Sequence, residues 1–123
     1  MKRLFLAVIA ASMLVFGAES GNDLFQKALV MERTEGNLAG AVKLYQRIVD
    51  QFASDRKLTA KTLLQMGLCY EKLGKDEAQK AYQQIVGKYA DQAEVAAQAR
   101  ERLAVLAKTA EAAAPKFRRI EIP

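Results

Sequence analysis

One stretch of the chain recurs at a fixed distance. Tyr45-Gln46-Arg47-Ile48-Val49-Asp50-Gln51-Phe52-Ala53 matches Tyr82-Gln83-Gln84-Ile85-Val86-Gly87-Lys88-Tyr89-Ala90 at an offset of 37 residues. The same offset relates Ala41 to Ala78, Ala60 to Ala97, Met66 to Leu103 and Gly67 to Ala104. A period of a few tens of residues implies a small supersecondary unit that cannot bury its apolar side alone. Such units must stack on their neighbours.

Within the period the apolar spacing is helical. A first helix is expected over residues 24–34, with Asn22 or Asp23 as its N-cap. Gly36-Asn37 breaks the pattern, and a second helix covers residues 39–52 with Val42, Tyr45, Ile48, Val49 and Phe52 in phase. Ser54-Asp55-Arg56-Lys57 is a polar connection to a third helix over residues 58–73, which Gly74 ends as glycine does past a helix C-terminus. Residues 76–89 and 93–108 complete the set. The expected fold is all-α: an antiparallel helix-turn-helix stack of about five helices, or two and a half repeats.

Composition fits a packed helical body. Hydrophobic residues make up 51% of the chain, too many for wholesale disorder. Much of this is alanine, which favours helix and close helix–helix approach. Both prolines, Pro115 and Pro123, lie beyond the helical pattern. There is no histidine and one cysteine, Cys69. Zinc sites of the Cys/His type and imidazole-assisted nucleophilic catalysis are thereby excluded. No cofactor is implied, and no arrangement of acid, base and nucleophile suggests a stand-alone hydrolase.

The individual chemical groups read as structure first. Cys69, between Leu68 and Tyr70, reads as a small buried hydrophobe, with an intermolecular disulfide as the functional alternative. Tyr45, Tyr70, Tyr82 and Tyr89 sit at helical spacing, which favours packing over a base- or sugar-stacking platform. Glu71-Lys72 and Arg100-Glu101-Arg102 read as solvated helix charge.

The ends carry different signals. Met1-Lys2-Arg3 is followed by an apolar run over residues 4–16, too short for a membrane span and suited to a signal-peptide core. Cleavage after Gly17 or after Ser20 puts small residues at the required positions, whereas cleavage after Ala18 meets Phe16. No cysteine follows for lipidation. An uncleaved anchor or a buried first helix is the rival reading. The division expected is residues 1–20 signal peptide, 21–108 repeat domain and 109–123 linker and tail. The export signal implies a periplasmic or secreted protein with no membrane insertion after cleavage. Without Lys2 and Arg3 the chain has 17 basic and 14 acidic side chains. Their signs are interleaved, which argues against a nucleic-acid partner. Residues 110–115 read as a low-complexity link. Residues 116–123 read as a tail or as the entrance to a further domain.

The repeat unit resembles the tetratricopeptide repeat family. That family's pattern places a small residue where paired helices approach, an aromatic three positions later and a glycine at the turn. Gly67, Tyr70 and Gly74 have this spacing in Leu63-Leu64-Gln65-Met66-Gly67-Leu68-Cys69-Tyr70-Glu71-Lys72-Leu73-Gly74. Ala41, Tyr45 and Ile48, and again Ala78, Tyr82 and Ile85, fit its second helix. The first helix departs from it: aligned on the glycines, Leu29 takes the small position and Glu32 the aromatic one. The likeness covers residues 22–108. It is greatest to exported bacterial members, such as the C-terminal repeats of the Tol–Pal cell-division coordinator and an outer-membrane-assembly lipoprotein. The segment through Gly67 also resembles helices that precede β-propeller domains.

The resemblance implies a non-catalytic scaffold whose concave surface holds a protein or peptide partner, with self-association open to so short a stack. By the family pattern the groove is formed by Asp23, Gln26, Val30 and Arg33 in one repeat and by Lys61, Leu64, Leu68 and Glu71 in the next. The alternative is a helical accessory segment of a larger exported protein, such as a β-propeller protein or enzyme. Gly67 is expected at a close helix crossing that rejects leucine and accepts alanine, since Ala104 holds the equivalent place. The half-repeat at the end is expected to act as a cap.

Overall fold

The computed structural model describes residues 19–113. They form five helices: α1 (Gly21–Arg33), α2 (Leu38–Gln51), α3 (Arg56–Lys72), α4 (Glu77–Lys88) and α5 (Ala93–Ala113). No strand occurs among the described residues. Each helix packs on the next; α1 also meets α3, and α3 meets α5, while α2 and α4 do not meet. The odd-numbered helices therefore line the inner side of an all-α repeat stack, and the even-numbered ones splay on the outside. The expected signal peptide, apart from its last two residues, and most of the expected linker and tail lie outside the described residues.

Polar caps set where the helices begin. Ser20, rather than Asn22 or Asp23, caps α1: its hydroxyl accepts from the Asp23 backbone N–H at 3.1 Å, and the Asp23 carboxylate accepts from the Ser20 N–H. This capping box starts the helix three residues earlier than its apolar pattern does. Asn37 and Asp55 cap α2 and α3 through their side chains alone, which accept from the backbone N–H of Gly40 and of Leu58. At the other end, α5 continues to Ala113, through residues expected to form a link. Alanine has the lowest helix-forming cost, so this alanine-rich run extends the helix.

Two glycines end the inner helices differently. Gly74 adopts φ 68°, with Gly74 N–H bonded to Glu71 O and Lys75 N–H to Tyr70 O. That is the Schellman arrangement. Gly36 has φ 65°, but Asn37 N–H reaches back to Met31 O, one residue further. The first turn is thus wider, and the two glycines are not equivalent places in the repeat.

The core shows the true register. The buried positions of α1 are Gly21, Leu24, Phe25, Ala28 and Glu32. They correspond to Ala60, Leu63, Leu64, Gly67 and Glu71 of α3, a spacing of 39 residues. Ala28 therefore holds the small position of the first repeat, not Leu29, and Glu32 replaces no aromatic. Aligning on the glycines misplaces α1 by one residue.

Between the inner and outer helices stand two tyrosines. Tyr45 on α2 and Tyr82 on α4 are fully buried, as are Ile48 and Ile85 one turn later. Burying a ring of this size removes about 150–250 Å² from water. That is roughly 4–6 kcal/mol before the entropy of fixing it. A Cβ on Gly67 would lie 2.3 Å from Cε1 of Tyr82 and 2.7 Å from its Cζ. The expectation that alanine is tolerated at Gly67 is therefore corrected. Ala104 is no precedent, because it is exposed on α5, with no ring against it.

Gly67→Ala should lower stability by about 1–3 kcal/mol and Gly67→Leu by more, through overpacking against Tyr82. Ala104→Leu should stay within about 0.5 kcal/mol of the parent, as surface changes do. Urea unfolding of the three variants checks this; a Gly67→Ala protein as stable as the parent would remove Tyr82 from that crossing.

Candidate partner-binding face

Two of the inner helices, α1 and α3, carry a carboxylate near the C-terminal end, and a tyrosine from the outer helix closes on it. Tyr45 Oη donates to Glu32 Oε1 at 2.9 Å, and the Cys69 thiol donates to the same oxygen at 3.2 Å. Lys72 approaches Glu32 from solvent at 3.9 Å. In the next repeat Tyr82 Oη donates to Glu71, which also takes two hydrogen bonds from the Arg102 guanidinium, its Nε at 2.9 Å. Glu32 and Glu71 are equivalent in the register above, so the pairing is a repeat feature. It links α1 to α2 and α3, and it links α3 to α4 and α5.

Electrostatics follow from these contacts. Burial, then the hydrogen bond to the neighbouring carboxylate, raises the hydroxyl pKa of both Tyr45 and Tyr82. The Arg102 guanidinium, chiefly by hydrogen bonding, holds Glu71 below the ordinary carboxylate range. Burial and the bond to Glu32 push the Cys69 thiol up to about 12. It stays protonated at neutral pH and acts as a donor, in keeping with a buried small residue. Arg56, at the start of α3, donates to Lys88 O and Asp91 and lies 4.8 Å from the Tyr89 ring centroid. That pairing ties α3 to the α4–α5 turn. Glu71 and Arg102, expected as free surface charge, are thus joined across helices; Glu101 is exposed.

With the register fixed, three rows cross the inner face from α1 through α3 to α5. One is Asn22, Lys61 and Gln98; another is Phe25, Leu64 and Glu101. The third is Leu29, Leu68 and Val105. Lys61 Nζ lies 4.5 Å from the Phe25 ring centroid, so the first two rows touch. Leu29 and Leu68 are half-buried, and Val105 is 39% exposed. The third row is therefore an apolar stripe open to solvent.

Of the residues assigned to the groove by sequence, Lys61, Leu64, Leu68 and Glu71 do lie on this side of α3. Leu64 is buried and Glu71 is engaged with Tyr82 and Arg102, which leaves Lys61 and Leu68 as accessible members. Asp23, Gln26, Val30 and Arg33 are all exposed, but they are displaced by one residue from the α1 positions equivalent to the α3 set. Those positions are Asn22, Phe25, Leu29 and Glu32. Gln26 and Val30 instead line a hollow at the N-terminal end of the stack, with Lys27, Met31, Glu35 and Leu44. Sequence reasoning missed Phe25, Leu29 and Val105 on the inner face. The recurring Glu–Tyr pair was the available signal, obscured because its members are 13 residues apart in one repeat and 11 in the other. No group of three or more acidic, thiol or imidazole side chains among the described residues is placed to hold a metal.

The geometry is that of a helical-hairpin repeat protein: small residues at the crossings, a ring between them and glycine at the turns. A profile of the tetratricopeptide repeat matches residues 24–55 and 61–91, and the chain belongs to that family. No curated protein and no solved structure matches the chain. Tetratricopeptide repeats generally mediate protein–protein interaction and are typically non-catalytic. No helix among the described residues is long and apolar enough to cross a membrane.

Removing the Arg102 guanidinium should leave the part-buried Glu71 short of partners. Arg102→Met is expected to lower stability by about 1–3 kcal/mol at neutral pH. Because the folded pKa of Glu71 lies below its ordinary value of 4.5, its contribution is complete above that value. It is lost as pH falls towards the depressed folded pKa. Urea midpoints measured from neutral to acid pH should thus fall less steeply for Glu71→Gln than for the parent. Identical acid limbs would mean that the ion pair contributes nothing.

Proposed function

We propose that this chain is an exported, non-catalytic scaffold of the cell envelope that holds a protein or peptide partner on its inner face. The observation that carries the binding part is the stripe of Leu29, Leu68 and Val105. These side chains sit on three successive inner helices, and the stripe leaves apolar surface open where the rest of the core is closed. An extended or helical segment with apolar side chains at matching intervals would cover it. Lys61 beside Phe25 and the exposed Glu101 provide charges of both signs at its rim, suited to orienting a partner.

Export is supported by the basic, apolar and small-residue order of residues 1–20. The Ser20 capping box bears on where the leader ends. Cutting after Ser20 would remove the cap and place a new ammonium group at the positive end of α1. Cutting after Gly17 keeps Ser20 and also Glu19, which pairs with Lys27 at 2.6 Å. We therefore expect the mature chain to begin at Ala18, in the periplasm or outside the cell. Terminal sequencing of exported protein checks this. An intact Met1 on membrane-bound material would support an anchor instead.

The groove is tested on the partner recovered with the mature chain. Val105→Glu changes an exposed stripe residue, and Lys61→Glu changes a rim charge. The control exchanges Lys80 and Glu77 on the outer helix α4. Calorimetric affinity for the recovered partner should fall about tenfold or more for Val105→Glu, as loss of a central apolar contact does, and should be unchanged for the control. Equal affinities throughout would place binding elsewhere. Charge reversal at Glu71 is unsuitable for this test, because it would break the contact with Tyr82 and Arg102.

A further inference from the structure

The two ends of the stack are finished differently. The side of α5 that would meet a following helix carries Ala97, Arg100, Glu101, Ala104 and Lys108. All are exposed, and two of them stand where α3 has Leu63 and Leu64. That end is closed by charge. At the other end, Val30 and Leu44 occupy places that are sealed one repeat later. Val30 is 49% exposed where its equivalent Cys69 is fully buried; Leu44 is half-buried where Ala81 is buried. Together with Met31 they floor a hollow of about 460 Å³.

From this asymmetry we infer that the N-terminal end of the stack is a dimer face that takes a second copy of the same chain. Head-to-tail stacking would set the apolar floor against the charged side of α5 and would propagate without closing. Pairing the same end of both copies buries apolar surface on both sides and closes on itself, as two-fold interfaces do. The charges agree with this arrangement. Lys27 and Glu35 both line the hollow, Lys27 one helical turn before Met31 and Glu35 in the connection just past the end of α1. A two-fold axis passing near Met31 sets α1 antiparallel to its copy. It brings Lys27 of each copy opposite Glu35 of the other, so the pair forms twice. Lys27 has Glu19 as a partner within its own chain, but both groups are solvent-exposed, and such a pair is readily exchanged. The inference goes beyond the inner-face reading. In such a dimer the two apolar stripes would belong to one particle, and a bivalent partner would bind it with avidity.

Sedimentation equilibrium of the chain recovered after expression, with its N-terminal residue read by mass spectrometry, tests the proposal. The parent should be a dimer in reversible exchange with monomer. Val30→Glu should be monomeric with an unchanged circular dichroism spectrum, since the side chain is half in solvent. Lys27→Glu and Glu35→Lys should each weaken the dimer about tenfold or more by setting like charges face to face. The double reversal should restore it. A parent that is monomeric at the highest soluble concentration overturns the proposal. So does a dimer that Val30→Glu leaves intact, or a double reversal no tighter than either single change.

Discussion

The structure depends on how close an outer helix can come to its inner partner. Tyr82 lies so close to Gly67 that one added carbon would collide with the ring. A small residue on the inner helix permits that approach, and the ring fills the space that the approach would otherwise leave empty. Close packing makes the arrangement all-or-none, because neither a gap nor an extra methyl group is tolerated well. The hydroxyl at the end of the ring then needs a partner, since a buried polar group left unpaired is costly. Glu71 and Glu32 meet that need, and Arg102 and Lys72 bring positive charge to them. Steric fit, hydrogen bonding and charge therefore act on the same few residues, and they set the relative height of neighbouring helices.

Much of the architecture was legible in the sequence. The 37-residue recurrence through Tyr45 and Tyr82 marks the outer helices, and Ala41, Tyr45 and Ile48 are buried as Ala78, Tyr82 and Ile85 are. The offset also holds from α3 to α5 on the side that looks back along the stack: Thr59, Thr62, Met66 and Cys69 match Ala96, Ala99, Leu103 and Leu106. It fails in meaning on the opposite side. There Gly67 faces a ring, whereas Ala104 faces solvent. A sequence offset reports which residues are equivalent along a helix and is silent on whether a neighbouring helix is present to meet them.

The inner-face residues of α1 were less legible, and the reason is local. Gly36 and Gly74 look interchangeable as helix stops, yet the first turn reaches back one residue further. Placing α1 by its glycine shifts every side chain by about 100° around the helix. That shift carries Phe25 and Leu29 away from the groove and brings Gln26 and Val30 into it. The Ser20 cap was missed for a related reason. Asp23 is a good capping residue by type, but here it serves as the return member of a capping box. The charged residues were misread because helical periodicity cannot distinguish a solvated glutamate from one that closes over a tyrosine of the next helix.

A body so constructed has a closed core, one open apolar stripe on its inner side and two unlike ends. These features suit recognition of other polypeptides, and all of them depend on the register of α1 against α2. Nuclear Overhauser contacts in the labelled protein measure that register directly. The account predicts contacts from the Tyr45 ring protons to the Ala28 methyl group, matching those from the Tyr82 ring to the Gly67 α-protons. Contacts from Tyr45 to the methyl groups of Leu29 in place of Ala28 would contradict it, and would return the first repeat to the glycine-aligned register.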